Sequence, residues 1–372
     1  MTTNYTDQGT LLIRNSDIKE GKFDLNNPIY LKEEFAKQNE NRSMKMGDVV
    51  TVHTGDIGTS AVITEDLDGT IGFATITTRP SKKLNSNYLC WYFNSNIHKK
   101  YAKRMSTGDG RSNYNMKDFN KNILVIPKIE EQQTIGIFFQ NLDNTITLHQ
   151  RKLDQLKELK KAYLQTMFVS MNTKNNKVPK LRFTDFEGDW QLCKLSTEFE
   201  KVNERNDGSL GKEHWISVAK MYFQNPDKVQ SNNIDTRTYV MRTGDIAFEG
   251  HPNKEFKFGR FVANDIGTGV VSELFPIYRH KQEYDNYYWK NAIQIERVMG
   301  PIFAKSITSS GNSSNKLDPN HFLRQQVLIP KLEEQKKIGL FLKKIDDIIN
   351  LHQNKLTQLK SLKKSYLQNM FI

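Results

Sequence analysis

One segment of this chain occurs twice, and the second copy begins 203 residues after the first. The copies span residues 126–168 and 329–371, and 27 of their 43 aligned positions are identical, far more than chance would give. The segments before them match only locally, where Met46-Gly47-Asp48 resembles Thr243-Gly244-Asp245. The chain therefore divides into two units of one plan, each with a variable part followed by a constant part.

The constant parts have the residue pattern of long helices. Seam residues recur four and then three positions apart, which is the spacing of a coiled coil, and both copies repeat the same positions. The seam positions are Leu142, Ile146, His149, Leu153, Leu156 and Tyr163 in the first copy, and Ile345, Ile349, His352, Leu356, Leu359 and Tyr366 in the second. Because the two stripes are nearly identical, we predict that the helices pack on each other as a pseudo-two-fold antiparallel pair.

A histidine falls on the seam in both copies, as His149 and His352. A metal pair is one interpretation, but neither histidine has a local set of carboxylates or cysteines to complete a site. We interpret them as buried polar residues that fix the helix register, and we predict no metal site.

The variable parts contain short alternating or apolar runs separated by turn signals, together with helical stretches. The predicted fold class is mixed α/β (α+β), with two domains of twisted mixed sheets joined by two long antiparallel coiled-coil helices. The predicted boundaries are residues 1–126 for the first variable domain, 127–170 for the first long helix, 171–177 for a linker, 178–328 for the second variable domain and 329–372 for the second long helix.

Composition limits the compartment and the partners. The formal net charge of +12 favours a polyanionic partner without choosing between nucleic acid and an anionic membrane. Two cysteines, Cys90 and Cys193, are too few for a disulfide framework and indicate a reducing cytoplasm. The first residues lack the order of a signal peptide, and no apolar run reaches the roughly 18 residues of a membrane span. We expect neither secretion nor membrane insertion.

Polar and basic residues of both variable domains are candidates for binding DNA. A basic stretch suits phosphate contacts, although a solvated charged face is the alternative. Two glycine-containing loops, residues 106–113 and 309–316, and the turns that follow the Gly-Asp strands carry side chains able to bond phosphates and base edges, although plain surface turns would look similar. The predicted DNA-binding residues are His53, Thr54, Lys82, Lys83, Arg104, Arg111, Ser112 and Asn113 in the first domain, and His251, Asn253, Lys254, Lys257, Ser313, Asn315 and Lys316 in the second.

Several motifs together resemble the specificity subunit of type I restriction-modification systems, over nearly the whole chain. They are the duplicated Ile-Pro-Lys-(Ile/Leu)-Glu-Glu-Gln with its Leu-rich helix, the Gly-Asp-hydrophobic run of each variable domain, the polar loop before Phe119 or Phe322, and the segment Val178–Trp190. The duplicated helix motif is specific, whereas the loops alone would be a weak signal.

The resemblance implies a non-catalytic, sequence-specific DNA-binding subunit of a DNA methylation and restriction complex. Two target-recognition domains would each read one half of a bipartite site in double-stranded DNA. The helix pair would set the spacing and dock two modification subunits, which methylate adenine, and restriction subunits would join them. S-adenosylmethionine, ATP and Mg²⁺ are then expected on the partner subunits, with no cofactor on this chain.

One departure from the family pattern concerns the first domain. The segment Val178–Trp190 has no counterpart before it, because Ile13-Arg14-Asn15 already aligns with Ile216-Ser217-Val218. Roughly 25 residues of a full first domain are therefore expected to be missing. Either the first half-site is read abnormally, or another chain supplies the missing piece.

Two functions of other classes remain as alternatives. Asp227, Glu255 and Lys257 fit a loose nuclease pattern, in which carboxylates hold Mg²⁺ and a lysine assists, but this pattern arises often by chance in charged sequences. A coiled-coil scaffold without a DNA role is the other alternative. The sequence contains no nucleotide-binding lysine loop, nucleophile elbow or His-Glu-x-x-His motif, which favours the non-catalytic interpretation.

Overall fold

The computed structural model describes residues 2–106, 113–170, 177–230, 237–310 and 314–371. The chain forms two compact units, the first made of Met1–Leu153 with Leu351–Ile372 and the second of Asp154–Asn350. Both boundaries fall inside long helices, so each unit contains a variable domain and part of both helices. No helix of the described residues is long and apolar enough to cross a membrane.

The first unit is built from two sheets and an aromatic helix. One sheet has the strand order β1-β5-β2-β8, with β2 and β8 parallel, and the other has the order β7-β6-β9 and is antiparallel. The elements are β1 Tyr5–Thr6, β2 Thr10–Arg14, β3 Ile18–Lys19, β4 Lys22–Phe23, β5 Ile29–Leu31, α1 Glu33–Gln38, β6 Val49–Val52, β7 Ser60–Val62, β8 Ile71–Phe73, β9 Thr75–Thr78, α2 Ser86–Asn94, α3 Asn96–Met105, α4 Met116–Phe119 and the long helix α5 Ile129–Thr166.

Helix α2 attaches the sheets of this unit to the long helices. Its run from Tyr88 to Asn94 is buried throughout, so the helix is apolar on nearly every side. Trp91 stacks on Phe139 of α5 with ring centroids 5.1 Å apart, and Phe139 stacks on Phe371 at 5.9 Å. Aromatic pairs at these separations add to the free energy gained by burying their surface.

The second unit follows the same plan with more strands. Its central sheet has the order β11-β18-β15-β16, and the strand pairs of this unit are antiparallel. The elements are β10 Gln191–Lys194, α6 Leu195–Glu198, β11 Phe199–Val202, β12 Ile216–Ser217, β13 Tyr222–Phe223, β14 Thr238–Met241, β15 Ile246–Glu249, β16 Arg260–Ala263, β17 Gly269–Ser272, β18 Ile277–His280, α7 Asn286–Ala292, α8 Glu296–Ser306, β19 Ile307–Ser310, β20 Asn315–Leu317, α9 Pro319–Leu323, β21 Gln326–Ile329 and the long helix α10 Leu332–Asn369.

Comparing the two units shows which parts are repeated. The antiparallel set β7-β6-β9 corresponds to β16-β15-β18, and the parallel pair β2–β8 corresponds to an isolated parallel bridge between Trp215 and Val270. Strands β10 and β11 have no equivalent among the described strands of the first unit. The expectation of mixed sheets therefore fits the first unit, while the strands of the second unit pair antiparallel.

Matching contacts join the long helices in both units. The first unit contains an edge-to-face contact between Phe138 and Tyr366 and an ion pair of 2.6 Å between Asp143 and Lys363. The second unit contains the equivalents 203 residues away, which are Tyr163–Phe341 and Lys160–Asp346 at 2.7 Å. In each pair the two residues exchange helices between the units, which requires antiparallel helices related by a pseudo-two-fold repeat. The predicted fold class is confirmed.

The seam histidines contact each other. Nδ1 of His149 lies 3.0 Å from Nδ1 of His352. The two residues are 203 positions apart, so each histidine is the repeat equivalent of the other. All twelve predicted seam residues are buried or half-buried. Within the described residues, no group of three or more His, Cys, Asp and Glu side chains could hold a metal ion.

Leu356→Ala tests the seam. Leu356 is 2% exposed, so the substitution should leave a cavity and lower the free energy of unfolding by about 2 to 5 kcal/mol in urea titrations. Leu351→Ala is the matched control on the same helix, because Leu351 is 68% exposed, and it should change that free energy by less than about 0.5 kcal/mol. Equal losses of unfolding free energy for both variants would contradict the assignment of Leu356 to a buried seam.

Candidate nucleic-acid interface

An ion pair with a buried aspartate fixes the start of strand β6. Gly47 has a φ of +87°, which a residue with a side chain rarely adopts, and the turn it forms directs the Asp48 carboxylate inward. That carboxylate accepts hydrogen bonds from the Lys45 amide at 2.8 Å and from Nε and Nη2 of Arg79 at 2.8 and 2.7 Å. The Gly-Asp motif is thus a structural clamp between β6 and the end of β9.

The second unit repeats this clamp. Gly244 has a φ of +91°, and Asp245 accepts the Arg242 amide at 2.8 Å. Arg279 donates to both carboxylate oxygens of Asp245 at 2.8 Å, and Glu204 accepts two further bonds from Arg279 at 3.2 Å. The guanidinium groups of Arg79 and Arg279 are therefore each bonded to a buried aspartate, while their side chains are 63% and 29% exposed.

The first clamp is ionised at neutral pH. Burial favours the neutral form of Asp48, but the hydrogen bonds from Arg79 and from the Lys45 amide outweigh burial and lower the pKa of Asp48 below its usual value. A carboxylate with a lowered pKa stabilises the folded state above its unfolded pKa, and this contribution is lost as pH falls through the folded pKa.

Asp48→Asn should therefore destabilise the protein in a pH-dependent way. We expect a lower urea midpoint than the parent at pH 7, and a difference that begins to shrink below about pH 4, where the parent carboxylate becomes protonated first in the unfolded and then in the folded state. Asp24→Asn, at an exposed aspartate of the same unit, is the control and should leave the midpoint unchanged at pH 7. A difference that stays constant from pH 7 to pH 3 would contradict the clamp.

The far end of β6 carries a polar cluster built from both predicted segments. His53 Nδ1 lies 2.9 Å from Asn113 Oδ1 and 3.0 Å from Thr54 Oγ1. Thr54 and Asn113 form an antiparallel bridge, and the Tyr114 amide donates to the His53 carbonyl at 2.7 Å. Asn15 Nδ2 donates to the Thr54 carbonyl at 3.2 Å. The turn after β6 and the described end of the polar loop, at Asn113, therefore meet in one half-exposed cluster.

The second unit has the same junction with different side chains. The Asn315 amide donates to the Gly250 carbonyl at 2.9 Å, and a Cβ on Gly250 would overlap the Asn315 carbonyl oxygen. His251 Nδ1 lies 2.5 Å from Oε1 of the buried Glu249, whose other oxygen is 3.8 Å from Nε of Arg260. The imidazole is exposed but held by this carboxylate.

The loop after Gly250 carries the remaining predicted residues of this end. Asn253 Oδ1 accepts the amides of Glu255 and Phe256, so this oxygen closes a turn. Lys254 is exposed, and the Lys257 ammonium lies 5.4 Å from the centre of the Phe258 ring. Lys316 is exposed on β20, next to Asn315.

The basic residues predicted to bind DNA in the first unit, as far as the structure describes them, do not lie together. The Arg104 guanidinium lies 5.7 Å from the Tyr101 ring, which contacts Tyr114, so Arg104 belongs to the His53 end. Because β9 runs antiparallel to β6, the exposed Lys82 and Lys83 follow β9 at the Val49 end, opposite His53. The predicted residues Arg111, Ser112 and Ser313 lie outside the described residues.

Sequence reasoning missed Asn15 and Arg260. Asn15 follows β2, and its bond to the turn depends on a sheet arrangement that no local motif announces. Arg260 is opposite Glu249 in the β15–β16 pairing. The opposite charges of Glu249 and Arg260 on neighbouring strands could have indicated their pairing, but only if the strand register had been known.

The nuclease pattern does not form a site. Asp227 lies in a 3₁₀ turn, Pro226–Lys228, where its amide is capped by Asn225, and Glu255 belongs to the turn closed by Asn253. Neither carboxylate belongs to a group of three potential metal ligands in the part of the chain that the structure describes.

Comparisons with known proteins identify the family. The model of the type I restriction modification DNA specificity domain matches residues 4–158 and 267–361, more than half of the chain. The chain is 24% identical to the MjaX type I restriction enzyme specificity subunit of Methanocaldococcus jannaschii, over 80% of this chain and 70% of that protein. It is 20% identical to the StySPI specificity subunit of Salmonella potsdam, over 97% of this chain and 81% of that protein.

Solved structures share the fold. The S subunit of a type I restriction-modification system from M. genitalium matches with a TM-score of 0.59 at 11% identity, covering 100% of this chain and 91% of that one. The HsdS subunit of Thermoanaerobacter tengcongensis matches with a TM-score of 0.50 at 15% identity, covering 98% and 89%.

This chain belongs to the family of type I restriction-modification specificity subunits. Sequence-specific recognition of DNA follows from that family. Specificity subunits are non-catalytic, so the family confirms the prediction of a non-catalytic subunit, and the nuclease alternative has no support.

Proposed function

We propose that each unit reads one half of a bipartite sequence in double-stranded DNA at the junction of its strand-end turn with its polar loop. The observation that carries this proposal is the repetition of that junction. In both units the turn after the clamped strand, β6 or β15, accepts a backbone hydrogen bond from the far side of the polar loop: the Tyr114 amide donates to His53 in the first unit, and the Asn315 amide donates to Gly250 in the second. The frame beneath the junction is the same, while the side chains on it differ, as two different half-sites would require.

The chemistry of these side chains suits base edges and phosphates. Asparagine can bond adenine with two hydrogen bonds, and Asn113 is an exposed asparagine at the junction of the first unit. His53 and His251 add ring nitrogens at the two turns. Arg104, Lys254, Lys257 and Lys316 supply phosphate contacts, which agrees with the net charge of +12.

Asn113→Ala should relax sequence preference at one half-site, at a cost of about 1 to 3 kcal/mol in discrimination, because a paired base contact is lost. The measurement is selection of binding sites from randomised duplexes by the assembled complex. The double variant Lys82→Ala with Lys83→Ala, at the opposite end of the sheet, is the control and should keep the parent's preferences. An unchanged preference for Asn113→Ala would contradict the assignment.

We also propose that the long helices set the distance between the half-sites and dock two modification subunits. Each helix exposes a second apolar stripe, away from the seam. Its members recur every 11 residues, which is close to three helical turns, so they share one face. They are 44% to 68% exposed and are Ile137, Leu148 and Leu159 on α5, and Leu340, Leu351 and Leu362 on α10.

This exposed stripe is repeated at the same 203-residue offset as the seam. Large aliphatic side chains in a repeated row on a surface are typical of a protein interface. Two equivalent stripes suit two copies of one partner. S-adenosylmethionine, ATP and Mg²⁺ would then be bound by the modification and restriction subunits, with none on this chain.

Leu148→Asp combined with Leu351→Asp should abolish co-purification with the modification subunit, because two charges would be buried in an apolar contact. The urea midpoint of the isolated variant should equal that of the parent, since both residues are exposed. Leu274→Asp is the control, because Leu274 is 82% exposed but lies in the variable domain of the second unit. Retained assembly of the double variant would refute the docking surface.

A further inference from the structure

Residues 177–202, the lead-in segment, occupy one surface of the second unit. Arg182 donates from Nε and Nη2 to the two carboxylate oxygens of Glu334, both at 2.8 Å. Trp190 Nε1 donates to Glu334 at 3.2 Å, and Glu334 and Trp190 are buried. The lead-in segment is therefore held at the start of α10 by a buried carboxylate that accepts three hydrogen bonds.

The lead-in segment also supplies two strands to this unit. β10 pairs with β21 over four residues, and this pairing buries Leu328 and Ile329 to 8% and 4% exposure. β11 pairs with the outer side of β18 over four residues, from Phe199 to Val202. Both strands complete an edge that would otherwise be open.

The equivalent surface of the first unit is uncovered among the described residues. Residues 123–126, which correspond to β21, form no strand, and Val125 and Ile126 are 66% and 40% exposed where Leu328 and Ile329 are buried. Ile123 is 89% exposed. Strand β9, which corresponds to β18, pairs only with β6 among the described strands. Glu131, which corresponds to Glu334, is exposed, and its carboxylate forms no hydrogen bond or ion pair with another described residue.

We propose that this surface of the first unit binds an extended segment of a separate polypeptide with the chemistry of the lead-in segment. The occupant would supply one strand to residues 123–126, a second strand to β9, and an arginine with an indole N–H to Glu131. Pairing of a peptide with an open edge is a known mode of recognition, in which backbone bonds give affinity and side-chain contacts give specificity. The proposal does not depend on the DNA-reading function.

A second copy of this chain is the less suitable occupant. Its lead-in segment is already held in its own second unit by the buried Arg182–Glu334 pair and by two strands. Release would leave Glu334 buried without its partners, which is costly. A separate polypeptide avoids this cost.

A labelled peptide with the sequence of residues 177–202, added to the full-length chain, tests the proposal. We expect saturable binding and slower amide hydrogen exchange in residues 123–126 and 75–78. Val125→Asp and Glu131→Gln in the chain, and Arg182→Ala in the peptide, should each weaken binding by about tenfold or more.

Two matched variants separate the surface from general effects. Leu274, at 82%, is even more exposed than Val125, at 66%, and Glu130 is an exposed neighbour of Glu131, so Leu274→Asp and Glu130→Gln should leave peptide binding unchanged. Each of three results would overturn the proposal: no saturable binding; binding insensitive to Val125→Asp and Glu131→Gln; or exchange changes confined to residues 326–329, which would show displacement of the segment in the second unit. A dimer of the free chain that Val125→Asp dissolves would assign the surface to a second copy and overturn it as well.

Discussion

The pairing of two nearly identical helices is the constraint on which both units depend. Each helix has 38 residues and an apolar seam that is unstable in water without a partner, and the nearest suitable partner is the other copy of the same seam. The His149–His352 contact and the exchanged ion pairs match polar groups at one register only. A shift by one turn would bury these groups without partners, so the contacts select the antiparallel pseudo-two-fold arrangement.

The Gly-Asp clamp performs a related task inside each variable domain. It ties the start of β6 or β15 to an arginine at the end of the neighbouring strand, and the strand then presents its other end at a defined position. The side chains at that other end differ between the units. The clamped end and the variable end are thus separated along a strand of four residues. Side chains at the variable end can change without loss of the clamp.

Much of the fold could be predicted because its signals are local or repeated. The seam follows from periodicity, and the pairing follows from the identity of the two stripes. The arrangement of the candidate site was harder to predict from the sequence. His53, Thr54 and Asn113 meet as one cluster, but Lys82 and Lys83, which lie between Thr54 and Asn113 in sequence, follow an antiparallel strand to the opposite end of the sheet. The hydrogen bond from Asn15 to the turn could be predicted only with the strand order of the sheet. The lack of a counterpart of Val178–Trp190 in residues 1–125 was visible in the alignment, whereas the unpaired strand edges among the described residues of the first unit required the strand pairings.

The central claim is that two recognition units on one helix pair read a divided DNA site. The most direct measurement is single-molecule sequencing of DNA methylation in a host that expresses this chain with a type I modification subunit. The account predicts one methylated motif made of two short defined halves, separated by a gap of constant length and unspecified sequence. A single uninterrupted motif, or halves whose separation varies from site to site, would contradict it.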